Sequence, residues 1–330
     1  CILEKKQQIR GEYRLMYIFI VNPASRSGHA SQIWTEIETL LKERNILYRV
    51  YFTSHRGHGI KLAQQLTKDL SSRTTLIVVG GDGTVNEVLN GIEHPEHIIL
   101  GYIPTGSGND FAKGMALPSD PQKALELILS PNSYRTVDIG VLKYSEKDTE
   151  KIRKFAVSTG IGFDAAICHQ ALVSRLKVLL NRIHLGKLSY AFISLRELAL
   201  HKPCRCRISF DNGTEVTFEK LHFAAVMNQP FEGGGFRFCP NAQNNDGKLD
   251  LCMIHDVSKI KLLFLMAIGL FGWHTSLKGV DTFRCKQVHI HTSAPMPVHA
   301  DGESAFLQDA ISVTCEQERL LMIAPQTIQK

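Results

Sequence analysis

Thr74-Thr75-Leu76-Ile77-Val78-Val79-Gly80-Gly81-Asp82-Gly83-Thr84-Val85-Asn86-Glu87-Val88-Leu89-Asn90 is the stretch that decides the fold. A β-branched apolar run of strand length ends in three glycines around one carboxylate, and a helix-like segment follows at once. Glycines at such a turn remove the Cβ atoms that would hold a polyphosphate away from backbone N–H groups, and the next helix points its positive end at the same place. Asp82 would repel phosphates directly, so the expectation is that it holds Mg²⁺, itself or through water. The competing reading is a tight strand-to-helix turn with Asp82 as N-cap.

Two more turns of this kind flank it. Ile98-Ile99-Leu100-Gly101-Tyr102-Ile103 reads as a buried strand running into Pro104-Thr105-Gly106-Ser107-Gly108-Asn109-Asp110-Phe111. Near the start, Tyr17-Ile18-Phe19-Ile20-Val21 breaks at Asn22-Pro23-Ala24-Ser25-Arg26-Ser27-Gly28, ahead of a helix with Ile33, Trp34, Ile37, Leu40 and Leu41 on one face. In an open parallel sheet, loops at the carboxyl ends of neighbouring strands converge on one crevice, the usual nucleotide site. Neither G-x-x-x-x-G-K-[ST] nor a G-x-G-x-x-G in the first strand-to-helix turn is present.

In these turns the chain resembles the diacylglycerol kinase catalytic-domain family, in its bacterial lipid kinase branch. Further markers are Val137-Asp138-Ile139-Gly140, Asp246-Gly247-Lys248-Leu249-Asp250 and Asp301-Gly302-Glu303, and the likeness runs from about Met16 to near Pro325. The resemblance implies an N-terminal three-layer α/β domain like that of NAD kinases and phosphofructokinases over residues 15–138. It implies a C-terminal β-sandwich over residues 139–309, with strands at about 310–328 returning to the first domain. The alternation of strands and helices up to about Tyr134, and the dominance of strands beyond it, agree with that division. Phe155-Ala156-Val157-Ser158-Thr159-Gly160 reads as one strand and Asp211-Asn212-Gly213 as a hairpin turn.

Phosphoryl transfer to a lipid hydroxyl demands alignment, cation neutralisation and a base near the hydroxyl. The candidates for the base lie in His299-Ala300-Asp301-Gly302-Glu303, where the resemblance also places it: Glu303 is favoured over Asp301, which would then face the phosphates and their metal. A bare Asp-Gly turn between two strands is the alternative. By the resemblance, Asp138 joins Asp82 through water around Mg²⁺. The positions matching the family's ATP contacts are Asn22, Pro23, Ala24, Ser25, Arg26, Thr53, Gly80, Gly81, Asp82, Gly83, Thr84, Val85, Asn86 and Thr105. A structural Mg²⁺ is implied in Gln243-Asn244-Asn245-Asp246-Gly247-Lys248, held by the Asp246 carboxylate and the carbonyls of Gln243 and Lys248.

The composition sets further limits. The chain has 330 residues, enough for two domains, and its eight cysteines form no C-x-x-C pair, which suits reduced thiols in the cytoplasm. The residues through Arg14 read as a mobile lead-in. The longest apolar run, Leu262 to Trp273, is 12 residues and falls short of a membrane span, so it reads as a buried or interfacial helix. Between Gln170 and Arg207, eight basic residues face the single acid Glu197, with Leu172, Val173, Leu176, Leu179, Leu180 and Ile183 at helical spacing. That pattern suits either an anionic membrane surface, at Arg175, Lys177 and Arg182 among others, or a solvated helix packed on its own domain. Nucleic acid fits poorly, since no recognised binding motif accompanies the charges.

The expected function is therefore an ATP- and Mg²⁺-dependent lipid kinase, peripheral at the inner membrane face, with diacylglycerol as substrate ahead of phosphatidylglycerol. A soluble kinase like NAD kinase and a regulator without catalysis are the other classes. The assembly is left open, with a homodimer among the candidates.

Overall fold

The computed structural model describes residues 16–173 and 186–326, so the lead-in and Arg175, Lys177, Leu176, Leu179, Leu180, Arg182 and Ile183 lie outside the described residues. The chain divides into two compact units, Cys1–Ile139 with Gln317–Lys330, and Gly140–Glu316.

In the first unit the strands are β1 (Met16–Val21), β2 (Leu47–Phe52), β3 (Thr74–Gly80) and β4 (Ile98–Pro104). They pair in parallel in the order β2-β1-β3-β4, and the end of the last strand, β13 (Glu303–Ile323), adds beside β4 through Leu321 and Met322. The core strands are buried along almost their whole length, and a strand flanked by helices on both faces has no use for a polar side. Tyr17, Phe19, Val21, Ile77, Val79 and Ile103 on one face pack under α1 (His29–Glu43) and α5 (Pro121–Leu129), which contribute Trp34, Ile37, Leu41, Leu125 and Ile128. Such burial is worth roughly 1.5–3 kcal/mol for each large apolar side chain. α2 (His58–Thr67) and α3 (Asp82–Gly91), which take no part in that cluster, pack on each other and on β1 and β3. They meet closely at Gly91, where a Cβ would stand 2.2 Å from the Ile60 carbonyl oxygen. The short α4 (Asp110–Gly114) follows β4. These three layers are the α/β architecture read from the sequence.

The second unit is mostly antiparallel. Its strands are β5 (Tyr134–Glu146), which begins in the first unit, β6 (Thr149–Phe155), β7 (Ser158–Gly162), β8 (Cys204–Phe210), β9 (Glu215–Met227), β10 (Leu249–His255), β11 (Val280–Cys285), β12 (Gln287–Ala300) and the start of β13. The order is β11-β10-β9-β7-β12-β13; β8 bridges β9 and β12, and β5 pairs with β6. β9 shows why its sequence is apolar without alternation. Ala224 and Val226 enter the core between the strands, while Phe223, Ala225 and Met227 face a second cluster. That cluster is closed by α6 (Phe163–Val173), α7 (Gly186–Leu200) and α8 (Lys259–Gly269). This is the β-sandwich domain with a helical cover.

One expectation changes in detail. The run Phe155 to Gly160 is two strands, broken at Ala156-Val157 because those backbone N–H groups are used elsewhere, as described below. Cys204-Arg205-Cys206 opens β8, and Cys206 lies in the sandwich core. The described cysteines are free thiols. Among the described residues no helix is long and apolar enough to cross a membrane.

Candidate active site

Parallel pairing brings the carboxyl ends of β1, β2, β3 and β4 to one side, so the three polar turns meet. Asn22 donates from its backbone N–H to the Val79 carbonyl and from Nδ2 to Thr84 Oγ1 (2.9 and 3.0 Å), tying the first turn to the second. Its own Oδ1 accepts from Ala24 N–H at 3.1 Å. Pro23 accepts at its carbonyl from Ser31 Oγ, Arg26 sits at φ 50°, and buried Thr53 continues the ladder by donating to Val21 O at 2.9 Å.

The second and third turns approach backbone to backbone. A Cβ on Gly81 would stand 3.1 Å from Gly106 Cα and 3.8 Å from Ser25 Oγ; one on Gly106 would stand 2.7 Å from Gly81 Cα. Any side chain there would fill the space, so the glycines keep open a cradle lined by main chain. Thr105 N–H donates to Gly80 O at 2.7 Å, and the buried Thr105 Oγ1 has no hydrogen-bond partner, so a hydroxyl is left to a ligand. α3 starts at this place with Gly81 as N-cap and no side chain satisfying its first N–H groups. Gly83, Thr84, Val85 and buried Asn86 lie in its first turns, where Thr84 and Val85 N–H donate to Gly81 O.

Asp82 is not the N-cap of its own helix. Its Oδ2 and Oδ1 accept from the backbone N–H groups of Asp110 and Phe111 (3.0 and 3.1 Å), capping α4 from across the crevice. Asp110 in turn pairs with Lys113 at 2.8 Å. Burial, with Asp82 and Asp110 nearby, raises the Tyr102 phenol well above its usual range. Asp138 is buried within β5.

In the second unit, Asp301 occupies a left-handed turn at φ 49°, and its carboxylate accepts from three backbone N–H groups: Ala156 at 2.9, Val157 at 2.9 and Ser158 at 3.0 Å. These are the donors missing from the β6–β7 break. Glu303 stands two residues on, mostly buried, with Arg153 Nη2 at 3.9 Å from Oε2. Asp246 closes its turn by accepting from Lys248 N–H (3.0 Å), and Arg284 lies 3.5 Å from its Oδ2; Gln243 is exposed on the same loop.

Beneath the Asp301 turn, His299 is fully buried. Its Nδ1 accepts from Gly302 N–H at 3.1 Å, and its Nε2 lies 3.0 Å from Glu232 Oε1 and 3.3 Å from Asp164 Oδ2. Because the Gly302 amide is a fixed donor, the ring proton belongs on Nε2, facing the two carboxylates. These three side chains have the composition of a metal site, with ligand atoms within 4.8 Å of one another. An imidazole bound to metal through Nε2 would need its proton on Nδ1, against Gly302 N–H, so the tautomer does not suit an ion. Burial raises the Glu232 carboxyl above its usual range, against the hydrogen bond and charge of His299, which lower it. The cluster anchors the turn that carries Asp301 and Glu303.

Residues 16–142 match the diacylglycerol kinase catalytic domain, and residues 157–322 match the YegS C-terminal NAD kinase beta sandwich-like domain. This chain belongs to the diacylglycerol kinase catalytic-domain family. Similar proteins include a diacylglycerol kinase of Mycobacterium tuberculosis, 35% identical over 87% of this chain and 88% of that one. A diacylglycerol kinase of Staphylococcus carnosus is 28% identical over 86% and 87% of the two chains. In fold, the chain is similar to the crystal structure of a diacylglycerol kinase from Bacillus anthracis, at TM-score 0.66 and 20% identity, covering 94% of this chain and 97% of that one. Yeast NADH kinase complexed with NADH shares the fold at TM-score 0.53 and 12% identity, covering 95% and 84%. The chain is thus a kinase of the lipid-kinase kind.

Parts of this kinase's site left little trace in its sequence. Glu87 accepts from Gly57 N–H (2.7 Å) and Gly59 N–H (2.9 Å), holding the start of α2 against α3. Asn109, at φ 53°, accepts from Gly106 N–H through Oδ1 (2.9 Å) and donates to Gly106 O through Nδ2 (3.0 Å), fixing the third turn. An Asn in a Gly-Ser-Gly-Asn loop was the available sign, since Asn tolerates the left-handed region. The Asp164–His299–Glu232 cluster draws on three separated segments and had no local signal.

Proposed function

We propose that this kinase transfers the γ-phosphoryl group of ATP to the hydroxyl of a membrane lipid, diacylglycerol first and phosphatidylglycerol as the next candidate. The single observation that carries the donor half is the approach of Gly81 to Gly106 beside the unpartnered Thr105 hydroxyl, a cradle that a side chain would fill and a polyphosphate suits. Asn22, Pro23, Ala24, Ser25, Arg26, Thr53 and Gly80 to Asn86 would border the nucleotide. Mg²⁺ fits the anionic character of Asp82 and Asp138. The Asp82 oxygens accept from the amides of Asp110 and Phe111, and a carboxylate oxygen has more than one acceptor site. The ion would neutralise phosphate charge.

In the transfer, the lipid oxygen bonds to the γ-phosphorus, the bridge to the β-phosphate breaks, ADP leaves, and Glu303 takes the hydroxyl proton. Asp301, with both oxygens engaged by three N–H groups, holds the turn and leaves Glu303 as the base. The Asp246 loop is the candidate for a structural Mg²⁺, with Gln243 and Lys248 carbonyls; Arg284 already places positive charge beside it. The names of the Mycobacterium and Staphylococcus relatives support diacylglycerol as acceptor. We place the enzyme at an anionic inner membrane face. Incubating purified protein with labelled ATP, Mg²⁺ and a lipid panel in mixed micelles should label diacylglycerol; labelling of NAD and no lipid would refute the proposal.

A further inference from the structure

Helix α8 and the 3-10 turn after it contradict the usual rule for a surface helix. Leu262, Leu265, Met266 and Gly269 are buried, which gives the helix its inward stripe. The opposite side should be polar. Instead it carries Ile260, Leu263, Phe264 and Ala267, at helical spacing, and Leu270, Phe271, Trp273 and Leu277 continue it. Ile260 is 84% exposed, Phe264 57%, Phe271 58% and Trp273 71%, and the rings of Phe271 and Trp273 stack at 5.1 Å. Side chains of this size placed singly on a surface need no explanation, but a contiguous set does.

The charges around the patch say what would cover it. From Ser258 to Gly279 there is no Asp or Glu, while Lys259, Lys261 and Lys278 sit at its two ends. An apolar patch edged by lysines, with a tryptophan and phenylalanines at its rim, has the chemistry of a helix that lies in a membrane interface: rings among the acyl chains near the head groups, ammonium groups at anionic phosphates. We infer that the outer face of α8 with the turn through Leu277 is the surface that enters an anionic lipid leaflet. The inference rests on the lipid-kinase reading and names where such an enzyme meets its substrate's bilayer.

Trp273 makes the test direct, because the chain has two tryptophans and the other, Trp34, is buried in the first unit's core. Full-length protein is mixed with vesicles of phosphatidylglycerol and phosphatidylcholine. Trp273 emission should shift to the blue and be quenched by acyl-brominated lipid. The variant I260S/F264S/F271S should lose about tenfold or more in vesicle partition, and Lys259, Lys261 and Lys278 changed to Gln should weaken binding to anionic but not to neutral vesicles. With dispersed, short-chain diacylglycerol below its micelle concentration, the triple variant should keep wild-type turnover. Trp273 emission unmoved by vesicles while that soluble lipid is still phosphorylated would overturn the docking surface and leave the lipid-kinase reading standing. Insertion of Trp273 with no lipid phosphorylated in any form would reject the activity alone. A halved particle mass for the variant in light scattering, with vesicle binding unchanged, would make the patch a contact between two copies of this chain and overturn the inference.

Discussion

Gly106→Ala isolates the contact on which the donor half of the site depends. Gly106 has no left-handed backbone to lose, so the substitution acts through space alone. The new Cβ would stand 2.7 Å from Gly81 Cα and 2.7 Å from Asn109 Oδ1, where carbon contacts relax to about 3.5–4.0 Å. The second and third turns must therefore part by about 1 Å. Thr105 N–H to Gly80 O at 2.7 Å and the paired Gly106–Asn109 bonds resist that movement, so strain of roughly 1–3 kcal/mol is expected. A displacement of that size at a positioning loop costs on the order of 100-fold in rate. The assay is kcat/KM for ATP, with the thermal shift induced by ATP as a binding readout. Gly101→Ala serves as control: its Cβ meets only core side chains, Ile128 and Ile77 at 3.1 Å, so it should lower stability and spare the ATP constants. A folded Gly106→Ala protein with wild-type ATP kinetics would refute the cradle.

Glu303→Gln keeps the shape and removes the proton acceptor; turnover should fall about 10²–10⁴-fold with ATP binding unchanged, and near-normal turnover would return the role to another group. Asp301→Asn turns one acceptor oxygen into a donor facing backbone N–H groups. Unfolding by urea should show a loss of about 2–3 kcal/mol at unchanged m-value, and an unaltered midpoint would contradict the anchoring role. Burial lowers the proton affinity of His169, His222 and His274, and of His201 to about 4 from 6.5. The unfolded chain then binds protons that the native chain refuses, so these groups give full stability above pH 6.5 and lose it as pH falls toward 4. Glu232 and Asp250, raised by burial, act in the opposite sense. Unfolding followed between pH 7.5 and 4.5 should show a net loss on the order of 2 kcal/mol, discounting the partly exposed His201; a gain would reverse the argument.

Glycine patterns made the first unit legible. Gly80 and Gly81 lie where β3 ends and Gly106 just past the end of β4, and a parallel sheet brings such ends together whatever the other residues are. Partners that are main chain leave no such mark. Both oxygens of Asp82 go to the amides of Asp110 and Phe111, and those of Asp301 to amides at residues 156–158, so residue type alone left a metal-facing and a turn-holding role open at each. The same amides explain why one expected strand is two. α8 shows a different limit: a stretch apolar on all sides reads as buried or interfacial alike and does not tell which side the fold covers.

The central claim is tested most directly by presenting labelled ATP and Mg²⁺ to the purified protein with diacylglycerol and NAD in the same reaction and separating the products. Label in phosphatidic acid, abolished by Glu303→Gln, is the predicted result. Label in NAD phosphate, or none in lipid while ATP still binds, would contradict it.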